Sequence, residues 1–215
     1  MLLKKTTDHN MIAIHGDPHD NLGFYISSYI IDGRTGDQGP STDMTGSYSY
    51  YNVYPMHTAL LGSGGYVLTV YNASISALAY AVVDLSTKNV INKTLIDLGT
   101  DTTFYPWIAG GSSRWLLAYS TGGYVNFTLV DTNGNNPGLL SLSDRNSAYV
   151  RATYDSGSGL FPVVYAVRDL GTGNYNVFLS LVNETDGSIG SFIIPINTTG
   201  SVDKIPINIG CTTRW

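Results

Sequence analysis

Two stretches of this 215-residue chain carry residue types that hold metals or move protons. His15-Gly-Asp-Pro-His19, followed by Asp20, brings imidazoles and carboxylates close together in sequence, with His9 and His57 as the other imidazoles. A zinc or copper site needs such groups to converge. The spacing matches no known zinc pattern. Asp17 also fits a turn in which its own side chain accepts a backbone N–H. No metal site is therefore expected, with His15, His19 and Asp17 as weak candidates beside the turn, and no cofactor is expected. Asp131-Thr-Asn-Gly-Asn135 is spaced like the start of a calcium loop. Asn136 stands where that loop needs Gly, and no later Glu closes it, so a hairpin turn is expected. General acid–base work on glycosides would need a carboxylate pair. The chain has a single glutamate, Glu184, against 15 aspartates, and the sequence singles out no pair. No nucleophile elbow, HExxH helix or phosphate loop is present. The expectation is a protein that is not an enzyme.

Asn72, Asn92, Asn126, Asn183 and Asn197 each begin an Asn-x-Ser/Thr triplet. Chance alone gives about three such matches in a chain this rich in Asn, Ser and Thr, so the motif proves little by number. Their placement at turns and strand ends makes them candidates for N-linked glycans. Residues 33–52 are rich in Gly and Ser and close on Tyr48, Tyr50 and Tyr51, with Tyr54 just beyond. Tyr and Ser together suit a partner surface, rigid rings beside adaptable hydroxyls.

The elements that must position these residues are short strands. Between Phe104 and Ser143 the apolar runs Tyr105–Ala109, Trp115–Ser120, Val125–Asp131 and Leu139–Leu142 are separated by glycine turns and by Asn133-Gly134, a strong hairpin signal. The second, third and fourth strands of this meander recur downstream at Leu160–Tyr165, Tyr175–Val182 and Ile189–Ile196. Upstream they recur at Tyr66–Tyr71, Leu78–Asp84 and Val90–Ile96. The turn after the third strand falls at Asp84, Asp131 and Asn183, intervals of 47 and 52 residues that suit a propeller blade. Placing the first such turn at Asp17 lengthens the preceding interval and makes 33–52 an inserted loop.

Residues 105–115, YPWIAGGSSRW, and 205–215, IPINIGCTTRW, share Pro, Gly, Arg and Trp at an offset of 100. The expectation is therefore an all-β single domain over residues 1–215. It is a small β-propeller of four blades, each of four antiparallel strands. Met11–Ile14 and Gly23–Ile31 would be the third and fourth strands of one blade. The terminal strand carrying Ile205, Pro206, Ile207, Ile209 and Trp215 would close it, on its own chain or a neighbour's. The phrasing Tyr-Pro-x-x-Ala, Leu-Leu-Ala-Tyr and Leu-Val-Asp-x-x-Gly over 105–134 resembles the divergent β-propeller repeats of archaeal and bacterial surface proteins. The resemblance spans nearly the whole chain but is compositional, and it implies fold more than chemistry.

Charged residues are 13% of the chain and the net charge is −5, with no basic stripe. Nucleic-acid binding is not expected. No apolar run is long enough to span a bilayer as a helix, and Met1-Leu-Leu-Lys-Lys5 lacks the apolar core of a signal peptide. Cys211 is the lone cysteine, read as a small buried apolar residue. An uncharged polar, tyrosine-rich surface suits the outside of a cell or particle. The expected role is a structural, protein-interacting and oligomeric component of an extracellular assembly. It looks like a tail or spike-base protein of a spindle-shaped archaeal virus. The alternatives are a host surface-layer or filament protein and a carbohydrate-binding propeller. Trp107, Trp115 and Trp215 bear on the last, although Trp115 and Trp215 hold equivalent repeat positions that suggest core packing.

Overall fold

A computed structural model describes residues 2–5, 11–19, 23–32, 34–39, 42–43, 55–62, 65–74, 77–87, 89–97, 106–121, 123–138, 140–142, 147–173 and 175–193. They build four sheets, each of four antiparallel strands hydrogen-bonded in chain order. The first holds β1 (Leu2–Lys5), β2 (Met11–His19), β3 (Gly23–Ile31) and β4 (Thr42–Asp43). The second holds β5 (Pro55–Leu60), β6 (Tyr66–Ser74), β7 (Ala77–Asp84) and β8 (Asn89–Asp97). The third holds β9 (Trp107–Gly110), β10 (Trp115–Thr121), β11 (Tyr124–Val130) and β12 (Leu140–Ser141). The fourth holds β13 (Ser147–Ala152), β14 (Leu160–Arg168), β15 (Tyr175–Asn183) and β16 (Ile189–Ile193). The chain groups into two compact units, 1–102 with 131–135, and 103–130 with 136–215.

One turn chemistry ends the third strand of every sheet. An Asp or Asn accepts the N–H two residues on: Asp32 from Arg34, Asp84 from Ser86, Asp131 from Asn133 and Asn183 from Thr185. In two of these turns a glycine at positive φ comes four residues after the Asp or Asn and donates back to its carbonyl, Gly36 to Asp32 and Gly187 to Asn183. In the third sheet Gly134 does the same to Asp131 from three residues away. Only a residue without Cβ adopts that φ cheaply, which is why Asp-x-x-x-Gly recurs. Asp155 with Gly159 and Asp169 with Gly173 build the same turn at other hairpins.

The repeat was out of phase in the N-terminal part of the sequence reading. The turn of the first sheet is at Asp32, and Asp17 lies within β2. Counted from Asp32, the turns at 32, 84, 131 and 183 are 52, 47 and 52 residues apart. The insertion at 33–52 therefore disappears. Residues 34–37 belong to the turn and Thr42–Asp43 form β4, and residues 44–52 lie outside the described ones. Gly23–Ile31 is the third strand of its sheet and Met11–His19 the second. All four strands of that sheet come from residues 2–43, so the count that called for a C-terminal strand is already met. In this phase the 105–115 motif, a first strand with its turn, has its counterpart at β1. Closure of the blade by Ile205, Pro206, Ile207, Ile209 and Trp215 is thus unsupported, and those residues lie outside the described ones.

The second unit is held by one apolar cluster. Leu116, Ala118, Val125, Phe127 and Leu129 of the third sheet meet Val150, Phe161, Val163, Tyr165 and Val182 of the fourth. Each large side chain so buried contributes about 1.5–3 kcal/mol. Trp115, Leu117, Tyr119, Thr128 and Val130 are buried as well, so the third sheet is covered on both faces. This explains why Trp115–Tyr119 reads as a continuous apolar run, and why β11 does not alternate between buried and exposed positions. In the second sheet Leu78–Val83 is likewise buried throughout.

Candidate functional site

The densest polar cluster in the described residues surrounds Glu184. The turn after β15 places it: Asn183 caps the turn, and the next residue projects its side chain. Glu184 is only 5% exposed. Its Oε1 accepts from the backbone N–H groups of Ser113 at 2.7 Å and Arg114 at 2.9 Å, and from the Ser113 hydroxyl at 3.2 Å. Its Oε2 accepts from the hydroxyls of Ser112 and Tyr154, each at 2.6 Å. The donors at 112–114 lie in the β9–β10 turn of the third sheet. Tyr154 and Glu184 belong to the fourth. Beside the carboxylate, Arg114 Nη1 donates to the Thr185 carbonyl at 2.9 Å, and the Tyr154 ring packs on Phe161 with centroids 4.9 Å apart.

Gly111 makes the approach possible. A Cβ there would lie 2.5 Å from Glu184 Oε1 and 2.7 Å from both the Arg114 carbonyl and the Phe161 ring. The Gly111 N–H donates to the Arg114 carbonyl, folding the loop so that two successive amides face the carboxylate. Such a pair of N–H groups is an anion-binding concavity.

The electrostatics follow from this geometry. Burial alone would raise the carboxyl pKa. The Ser112 and Tyr154 hydroxyls and the two amides outweigh that and hold it at about 2. The bond to Glu184 pushes the Tyr154 phenol up in turn. A carboxylate with five donors on two oxygens has no lone pair in reach of a substrate. With so low a pKa it is a poor base at neutral pH, and Tyr154 is not an activated phenolate. What the arrangement can do chemically is fasten one sheet to the next.

A second cluster joins the first strands of the same two sheets. The Trp107 indole donates to the Ala152 carbonyl at 2.7 Å. The Arg151 guanidinium lies 4.3 Å over the Trp107 ring and donates to the Val150 carbonyl. Strand register puts Trp107, Arg151 and His57 at equivalent positions, each paired with the second-strand residue opposite, Ala118, Val164 and Val70.

The structure separates most of the residues singled out by sequence. His15, Asp17 and His19 lie on β2, with side chains outside what is described. His57 is half-buried on β5. Among the described residues no three His, Cys, Asp or Glu gather as metal ligands. Both oxygens of Asp131 are taken by the turn, from Asn133 and Asn135, as a hairpin requires. Asn92 Nδ2 donates to the Asn133 carbonyl at 3.0 Å. Asn126 accepts from Ser141, and Thr128 of its triplet is 1% exposed. Asn183 caps its turn, with Thr185 exposed. Asn72 is on β6, its side chain outside what is described. Asn197, Cys211, Trp215 and Tyr48, Tyr50, Tyr51 and Tyr54 lie outside the described residues. Trp115 is wholly buried, as its repeat position suggested. The Glu184 clasp was missed. Its signals were the solitary glutamate in a turn and the loop Gly-Gly-Ser-Ser, read only as a strand break.

No family model and no curated protein matches the sequence. Solved structures match by fold. The β-propeller domain of the Trilobed protease from Pyrococcus furiosus, described as having an open velcro topology, is 10% identical with a TM-score of 0.56, covering 90% of this chain and 58% of that one. A mutant NanB sialidase from Streptococcus pneumoniae is 16% identical with a TM-score of 0.55, covering 80% and 29%. The acylaminoacyl peptidase of Pyrococcus horikoshii is 11% identical with a TM-score of 0.53, covering 90% and 32%. The chain thus spans between 29% and 58% of the proteins it resembles here. At these identities the likeness establishes a divergent β-propeller fold and carries nothing about chemistry.

Proposed function

We propose that this chain is a rigid, non-enzymatic interaction module of an extracellular assembly, as in the tail or spike base of an archaeal virion. The observation that carries the reading is the use made of the only glutamate. It is consumed in a saturated inter-sheet clasp, a device that stiffens a scaffold and leaves that carboxylate no lone pair for chemistry. The turn carboxylates of Asp32, Asp84, Asp131, Asp155, Asp169 and Asp186 are similarly committed to backbone amides. Docking surface is available as well. Ile91 and Leu95 on β8, Leu140, Ile189, and Leu170 at a hairpin tip are exposed, Leu170 by 74%. The low charge and uncharged polar surface agree with an exterior setting.

The carbohydrate-binding alternative ranks second because one face of Trp107 is already covered by Arg151 and Trp115 is inaccessible. Light scattering coupled to size separation, followed by electron microscopy, tests the first reading. Concentration-dependent assembly, or incorporation into purified particles, is expected. A strict monomer at every concentration that binds immobilised glycans would replace it with the second.

A further inference from the structure

Arg151 takes no part in the clasp, and its guanidinium lies over Trp107 at the edge of the apolar cluster. It is half-buried on β13, an outer strand of the fourth sheet that pairs only with β14. β9, which carries Trp107, is likewise hydrogen-bonded on one side only. Burial lowers the Arg151 pKa, as expected of a cation partly stripped of water. Its neighbours are the Trp107 ring and its own strand's Val150 carbonyl. Among the described residues no carboxylate is bonded to it. A partly desolvated guanidinium without an anion is unfavourable, and its planar fork of donors matches a carboxylate in two-point geometry. The indole beneath holds the fork in one plane and so lowers the ordering cost of binding. The equivalent position of the second sheet holds His57, so a polar side chain stands at this register in two of the three sheets compared.

We propose that Arg151, held over Trp107 where the first strands of the two sheets meet, binds a carboxylate-bearing ligand. The carboxylate accepts two parallel N–H bonds from the guanidinium, and Trp107 fixes its orientation. An acidic sugar and an acidic side chain of a partner offer the same group, and the assay separates them.

The full chain, labelled with nitrogen-15, is titrated with D-glucuronate, with N-acetyl-aspartate methylamide and with glucose at constant ionic strength. The arginine Nε–H and tryptophan indole signals are followed. Saturable shifts of the Arg151 and Trp107 signals with a carboxylate, absent with glucose, are expected. Preference for glucuronate assigns a sugar source, preference for the aspartate derivative a protein source, and equal response a simple carboxylate site. R151Q should abolish the shifts and R151K should weaken binding several-fold, because an ammonium lacks the parallel donors. Unchanged thermal unfolding of both variants would show that the fold is intact. The proposal is overturned by the absence of any saturable shift at tens of millimolar ligand, by an equal response to chloride, or by shifts that persist in R151Q.

Discussion

Replacing Glu184 is the most direct probe of the clasp. In E184A, two backbone amides and two or three hydroxyls lose their acceptor in a site that is 5% exposed. Each buried donor left unpaired costs about 1–3 kcal/mol where it cannot reach water. Rotation of the hydroxyls relieves part of this, so a loss of about 3 kcal/mol at neutral pH is expected. E184Q should cost about 1–2 kcal/mol, because its amide oxygen still faces Ser113 and Arg114 while the hydroxyls turn to accept from its NH2.

The pH dependence carries a sign. The carboxyl pKa falls from 4.5 to about 2 on folding. A depressed folded pKa contributes stability that is complete above the unfolded value and is lost as pH drops through the folded one. Linkage makes this contribution roughly 3 kcal/mol, disappearing between about pH 4.5 and pH 2. Urea unfolding followed by tryptophan fluorescence at pH 7, 4.5, 3 and 2 measures it. The gap between wild type and E184A should narrow steadily over that window. G111A adds a second arm. Its Cβ would sit 2.5 Å from Oε1, so the variant should be destabilised, and less so when Glu184 is already alanine. The reasoning would be falsified if E184A matched wild type within about 0.5 kcal/mol at pH 7, a difference typical of inert surface changes.

Other outcomes follow from single contacts. G134A should lose about 2 kcal/mol or more, since Gly134 has φ +78° and its Cβ would lie 2.4 Å from Asn92 Cβ; a melt of G134A beside G134A/N92G should show partial recovery. Y119F should be neutral or slightly stabilising, within about 1 kcal/mol in denaturant titration, because the Tyr119 hydroxyl is buried without a hydrogen-bond partner. If the chain is made in a host that glycosylates Asn-x-Ser/Thr, mass analysis of the folded protein should find glycan at Asn183 before Asn92 or Asn126. The Asn92 amide is bonded to Asn133, and Thr128 is buried beside Asn126. Predominant occupancy of Asn92 would contradict the observed packing.

How far the sequence disclosed this molecule depends on what kind of signal each part leaves. Turn chemistry is local, so Asn133-Gly134 and the turns at Asp84, Asp131 and Asn183 marked hairpins that the structure contains; the third sheet was placed with all four strands, and the second and fourth with all but their first strands, β5 and β13. The first failed because the segment around Asp17 offers the same residues as a turn, Asp, Pro, His and Asn, while in the structure it is part of β2. Pairing with β3 over Met11–His19 overrode the local preference there, and no periodicity within a single strand could announce that. The clasp is harder still, since its parts are separated by some 70 positions and none is unusual alone. Its legible traces are the loop Gly-Gly-Ser-Ser and, in composition, the single glutamate. A chain that builds its turns on aspartate or asparagine and uses glutamate once needs the extra methylene at that place, because an aspartate at 184 would fall short of the amides of Ser113 and Arg114. E184D therefore separates reach from charge: if the clasp depends on both, this variant should resemble E184A in stability at pH 7 and not E184Q.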